Sequence, residues 1–194
     1  GANRLGGNSL SDLLVLGKRA GEYASKFANE KGGTQIDREE IEAAKREALA
    51  PFDRQSNDAE GAYQIQYSLQ ETMQSLVGIV RKGEEMEQAL EEIDKLKKQA
   101  EVVGVTGNRE YNPGWHTALD LKNLLTVSEA VARSAIARKE SRGAQFREDY
   151  PEKSEEWGKY NNVIRRGPDG AMQIDRLLIP EMPTELQEII KEMG

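Results

Sequence analysis

The chain has 194 residues, enough for one ordinary domain or two small ones. Its formal net charge of -7 argues against general nucleic-acid binding, because neutralising phosphates needs a basic face. The absence of cysteine excludes disulfides, thiolate metal sites and iron–sulfur ligation within it, and no run approaches the roughly 20 apolar residues that cross a bilayer. With no signal peptide at its start it reads as soluble, any membrane link being made through partners.

The opening, Gly1-Ala-Asn-Arg-Leu-Gly-Gly-Asn-Ser-Leu10, delivers the backbone through two glycines to Asn8 and Ser9, both good helix caps. Leu10, Leu13, Leu14, Gly17, Ala20, Gly21 and Ala24 then recur at helical spacing to about Phe27. Such a helix start offers unpaired N–H groups and partial positive charge to an anionic ligand group, and Arg4 can fork onto a carboxylate. A capped amphipathic helix with a surface arginine fits the same spacing.

A polar connection follows at 29–37, and Asp37 with Glu40 has the spacing of a helix start. The short helix it opens carries Ile41, Ala44, Ala48 and Leu49 and is expected to end at Pro51, with Gln55-Ser-Asn-Asp58 as a loop. Three longer helices come next. The first, from Ala62 to about Arg81, lines Tyr63, Ile65, Leu69, Met73, Leu76, Val77 and Val80 on one broad face. After Gly83 the second alternates Met86, Ala89, Leu90, Ile93, Leu96, Ala100 and Val103 with glutamates and lysines, so one face must be buried. The third is expected from about Trp115 to Ser141, with Leu121, Leu124, Leu125, Val131, Ala135 and Ile136 among small residues that permit close helix approach.

From Arg133 to Arg147 there are five positive side chains and one negative. One reading is a helix C-terminus whose dipole the cations complement, capped by Gly143; another is a charged surface of Arg138, Lys139, Arg142 and Arg147 that steers a partner. The tail reads as strand, Gly-Pro-Asp-Gly turn and strand over Tyr160–Arg166 and Ala171–Leu177, then a helix opened by Thr184 and Gln187 in a capping box. His116 is the only histidine and has no converging ligands in local spacing, so a helix-start or packing role is expected and no metal site. One histidine without an oriented nucleophile also makes no catalytic triad.

Three strings carry a family resemblance. The opening with its continuation Asp-Leu-Leu-Val-Leu-Gly-Lys-Arg-Ala-Gly, the segment Asn112-Pro-Gly-Trp-His-Thr-Ala-Leu-Asp-Leu-Lys-Asn-Leu-Leu125, and Glu140-Ser-Arg-Gly-Ala followed by Arg147-x-Asp-Tyr-Pro151 resemble the flavoprotein subunits of succinate dehydrogenase and fumarate reductase. They are spread through the chain, so the resemblance covers nearly all of it. It implies that Arg4 holds a carboxylate of the dicarboxylate substrate and that Ser9 and Leu10 contact the flavin of FAD. It also implies electron transfer to an iron-sulfur subunit and a peripheral place on the cytoplasmic face of the membrane through partner subunits. Gln145 stands where the family usually places histidine, which argues against an imidazole role there.

The expected fold is mainly α: the last helix of a flavin domain, a three-helix, spectrin-repeat-like bundle, and a small β-hairpin plus helix tail. The expected divisions are 1–35 as the end of the FAD-binding domain, 36–145 as the bundle and 146–194 as the tail. The chain opens without an initiator Met and lacks a Gly-x-Gly-x-x-Gly fingerprint, so it reads as the carboxyl-terminal portion of a longer subunit, with no catalytic residue of its own and inactive alone. L-aspartate oxidase, which shares the opening and Glu-Ser-Arg motifs, and a free-standing helical interaction module are the alternatives.

Overall fold

The computed structural model describes residues 8–33, 35–54 and 61–193. Helix α1 spans Asn8–Lys31 and its chain turns away at Gly32, whose φ of 72° suits a residue without Cβ. Helix α2 spans Arg38–Asp53, and the Asp37 side chain caps it by accepting the Glu39 N–H at 2.8 Å. Pro51 does not end this helix. It lies within the last turn, where the missing N–H removes one bond only, and its buried ring and its carbonyl, which accepts the Val105 N–H at 2.9 Å, are used in packing. The loop expected at Gln55–Asp58 lies outside the described residues.

Helices α3 (Ala62–Leu76), α4 (Gly83–Val102) and α5 (Pro113–Ala137) pack pairwise into the expected three-helix bundle. Ile65 and Leu69 of α3, Met86, Ala89, Ile93 and Leu96 of α4, and Leu121, Leu125, Ala132 and Ala135 of α5 form one buried cluster, joined by Val77 and Val103. Asn112 caps α5 by accepting the Trp115 N–H at 3.0 Å, with Pro113 in the first turn. Trp115 in turn donates its indole N–H to the Ala48 carbonyl at 2.7 Å and meets Phe52 edge-on, which pins the end of α2 to the start of α5.

Two of the three helices are shorter than their apolar periodicity predicts. α3 stops at Leu76 because Gly78 lets the backbone fold back where a Cβ would sit 2.5 Å from the Gln74 carbonyl oxygen. The Arg81 guanidinium then donates to the Val77 and Gly78 carbonyls, at 3.2 and 2.9 Å, and satisfies acceptors that a continuing helix would have used. Val80–Arg81 instead forms strand β1, paired in parallel with β2, Phe146–Arg147. α5 stops at Ala137, and Gly143, with φ of 60°, sits in a tight turn closed by Arg142 and Gln145 rather than capping the helix.

The tail follows the sequence closely. Strands β3 (Tyr160–Arg166) and β4 (Met172–Leu178) pair antiparallel, with the Asp169 carboxylate accepting the Ala171 N–H at 3.0 Å inside the turn. Helix α6, Thr184–Met193, ends the described chain. Its first turn is held by the Pro183 carbonyl and by Gln187 donating to the Met182 carbonyl, in place of the expected Thr184 capping box.

Leu121 is completely buried where the three helices meet. Leu121→Ala is expected to lower the unfolding free energy by about 2–5 kcal/mol in urea titration, and a loss below about 1 kcal/mol would contradict that packing.

Candidate functional site

Two of the three motif strings bear on a candidate site; the third, Asn112–Leu125, forms the cap and first half of α5. The first is the start of α1, which begins at Asn8 and has no acidic residue in its first turn, so the positive end of its dipole is not neutralised within that turn. Arg4 and the Ser9 side chain lie outside the described residues. Leu10 is 67% exposed, and Leu13, Leu14, Leu16, Tyr23 and Phe27 along the same helix are exposed as well. The described residues leave the apolar side chains of this helix uncovered.

The second region is the junction built by 138–151, which closes over the end of α5. Its centre is Arg147, only 2% exposed. One guanidinium nitrogen donates to the Ala135 carbonyl at 2.7 Å and to the Ile136 carbonyl at 3.2 Å, both orphan acceptors at a helix C-terminus. The other nitrogens fork onto Asp149, Nε to Oδ1 and Nη2 to Oδ2, each at 2.7 Å. Asp149 also accepts the Gly83 N–H at 3.0 Å and so caps the start of α4. One side-chain pair thereby ties the last carbonyls of α5 to the first amide of its antiparallel neighbour.

Gln145 completes this side. Its amide nitrogen donates to the Arg138 carbonyl at 3.0 Å, and its oxygen accepts from Arg81 at 3.0 Å. A primary amide supplies the donor and the acceptor at once without a titrating proton. Burial, then the nearby Arg147 charge, lower the Arg81 pKa, so a further cation in place of the amide would be disfavoured here.

Glu140 is fully buried on the other side of the junction. Its carboxylate accepts from Arg138 at 2.6 Å, from Arg142 at 3.0 Å and from the Ser154 N–H at 2.8 Å. Burial opposes its ionisation, but these donors outweigh it and hold its pKa below the ordinary carboxylate value. Arg138 carries the connection onward to the Trp157 and Tyr160 carbonyls, at 3.1 and 2.6 Å, and Arg176 of the hairpin stacks 3.8 Å over the Trp157 ring. The four-cation partner surface is therefore not presented: Arg147 is buried, Arg138 faces inward, and Arg142 is committed to Glu140 and the Ser154 carbonyl. Arg142 and Lys139 retain exposed surface.

Sequence reasoning missed Glu140 and Asp149. The available signal was one acid two residues from each of two arginines, and another two residues after Arg147. His116 is exposed in the first turn of α5 beside Trp115, and no cluster of metal-ligating side chains occurs among the described residues.

Both junction carboxylates have depressed pKa values. The hydrogen bond from Arg147, against some burial and helped by the Gly83 amide, brings Asp149 down to about 2. A depressed folded-state pKa stabilises the fold above the ordinary carboxylate range and loses that contribution as pH falls, for Asp149 through about pH 2. The melting temperature is expected to fall between about pH 4 and 2, with a shallower fall in Asp149→Asn. Identical acid slopes in the two proteins would contradict the assignment.

Comparison with known proteins agrees with these motifs. The profile of the family described as Fumarate reductase flavoprotein C-term matches residues 66–191. An uncharacterized FAD-dependent oxidoreductase of Methanocaldococcus jannaschii is 37% identical over 167 residues, covering 86% of this chain and 29% of that protein. The succinate dehydrogenase flavoprotein subunit of Coxiella burnetii is 34% identical over 172 residues, 86% of this chain and 29% of its own length. Among solved structures, Mycobacterium smegmatis Sdh1 in complex with UQ1 superposes with a TM-score of 0.88 at 39% identity, covering 98% of this chain and 32% of that one. The chain thus spans about 30% of the length of these relatives. It belongs to the fumarate reductase and succinate dehydrogenase flavoprotein family, whose C-terminal region it matches.

Proposed function

We propose that this chain is the carboxyl-terminal part of an FAD-containing subunit that interconverts succinate and fumarate and passes the electrons to an iron-sulfur subunit. The observation that carries the reading is the superposition of 98% of the chain on a family structure about three times as long. The uncovered apolar side of α1 supports it, since a helix with Leu10, Leu13, Leu14 and Leu16 exposed belongs against another body, here the flavin domain that 1–35 completes.

The residues at the start of α1 fit a flavin. When bound, FAD supplies the hydride-accepting chemistry. The helix N-terminus, free of acidic side chains, offers positive potential to the electron-rich edge of the ring, and Leu10 offers apolar contact beside Ser9. Arg4 grips one substrate carboxylate through two parallel hydrogen bonds and fixes the dicarboxylate for transfer. The chain contributes one edge of this site, which is why it does not turn over alone.

No described helix is long and apolar enough to cross a membrane. Attachment at the cytoplasmic face through partner subunits is consistent with that. The similarity to succinate dehydrogenase and fumarate reductase flavoprotein subunits favours that branch over L-aspartate oxidase, and family membership favours the redox reading over a free-standing helical module.

In the intact subunit, Arg4→Lys is expected to lower kcat/KM for succinate or fumarate roughly 10- to 100-fold with flavin content retained, the loss of a charge-assisted hydrogen bond. An unchanged kcat/KM would remove Arg4 from the substrate site. The 194-residue chain alone is expected to show no saturable FAD binding at low micromolar concentration by flavin fluorescence, and saturation there would contradict the divided site.

A further inference from the structure

The sequence contains one Asp-Gly step, Asp169-Gly170, and no Asn-Gly. It lies in the turn that joins β3 to β4, and both residues are exposed. Gly170 has a φ of 82° and no Cβ, so no side chain shields its amide nitrogen from the carboxyl before it. That carboxyl is folded back over the turn. Its Oδ1 accepts the Ala171 N–H at 3.0 Å, and a Cβ on Gly167 would sit 2.9 Å from the same atom. The side chain thus lies alongside the Gly170 peptide, the side from which Cγ can meet that nitrogen. The Arg166 guanidinium lies 3.6 Å from where a Gly170 Cβ would be, and a cation near a peptide nitrogen eases loss of its proton.

We propose that Asp169-Gly170 is a covalent modification site, where the Gly170 nitrogen closes on the Asp169 side-chain carboxyl and the resulting succinimide opens to isoaspartate. In the first step the N–Cγ bond forms, and the carboxyl OH leaves with the amide proton as water. In the second step water returns. Attack at the former main-chain carbonyl gives isoaspartate, and attack at Cγ restores aspartate. Nothing is oxidised or reduced, and water is the only co-reactant. One native bond sets the pace, since the Gly170 N–H donates to the Gly167 carbonyl at 3.0 Å and must let go before the nitrogen attacks. That bond sits at an exposed loop tip, where local opening is least costly. The product carries one extra methylene in the main chain between Gly167 and Ala171, whose N–H to carbonyl bond of 2.8 Å closes the turn. The strand pairing from Tyr160 with Leu178 to Arg166 with Met172 lies outside that insertion. None of this depends on which reaction the intact subunit catalyses.

The test incubates the intact, flavin-loaded subunit in mildly acidic heavy-oxygen water and then digests it with trypsin in ordinary water. Cleavage after Arg166 and Arg176 releases the peptide Gly167–Arg176, which also holds Asp175 as an internal control. An isomer of this peptide is expected to accumulate with incubation time, carrying one heavy oxygen and an isoaspartyl linkage that electron-transfer fragmentation places at residue 169. Isomer formed during digestion lacks the heavy oxygen and is set aside by its mass. Asp169→Glu keeps the carboxylate but needs a six-membered ring, which closes far more slowly, and this variant is expected to show no labelled isomer. Absence of the labelled isomer from the folded subunit overturns the proposal, even where the free peptide Gly167–Arg176 converts. Equal label at Asp169 and Asp175, or a labelled isomer that persists in Asp169→Glu, overturns it as well.

Discussion

The interaction on which the architecture depends is the fork between the buried Arg147 guanidinium and the partly exposed Asp149 carboxylate. Taking a guanidinium out of water costs several kcal/mol unless its donors are matched, so the buried side of this pair is the one that cannot lose its partner without a cost. Arg147 is matched on all sides, by the last carbonyls of α5 and by a carboxylate that caps α4. The parallel β1–β2 pair follows from it, because β2 ends at the residue whose side chain is anchored beneath α5. The bundle is thus closed by polar contacts at one end and by apolar contact between its three helices along the rest.

Glu140 extends the same logic to the tail. An isolated two-stranded hairpin is marginal in water, so β3 and β4 must be tied to something larger. The tie is the Glu140 carboxylate with Arg138 and Arg142, continued by Arg138 to the carbonyls that precede and open β3 and by Asn162 donating to the Ser134 carbonyl at 3.0 Å. Trp157, nearly buried between Arg138 and Arg176, fills the space between bundle and hairpin. The family motif at 140–151 therefore reads in this structure as a scaffold that seats the tail on the bundle.

Apolar periodicity revealed the three bundle helices, because burial there depends on local spacing, while the hairpin was legible from its Gly-Pro-Asp-Gly turn and α6 from the polar start before its apolar run. It overshot the ends of α3 and α5. What stops those helices is not apolar spacing: Gly78 and the Arg81 side chain turning back on Val77 end α3, and Arg147, eleven and twelve residues on, reaches the carbonyls of Ile136 and Ala135 at the end of α5. Pro51 misled in the opposite sense, since in a last turn a proline removes one hydrogen bond without breaking the helix. The basic stretch misled because charge counts do not say which cations face inward, and Glu140 and Asp149, noted only as letters of the motif strings, are the groups that bind them. At the candidate site, Arg4 and Ser9 take their roles from the literal opening string and from the family, while their spacing alone is that of any capped helix.

A double-mutant cycle on Arg147→Met and Asp149→Asn, read by urea unfolding, tests the closing fork most directly. The two residues sit in one network that bridges α4 and α5, so the account predicts non-additivity of roughly 2 kcal/mol, each single change costing nearly as much as the pair. Effects that add within about 0.5 kcal/mol would contradict it, showing that the helix ends are held independently of that contact.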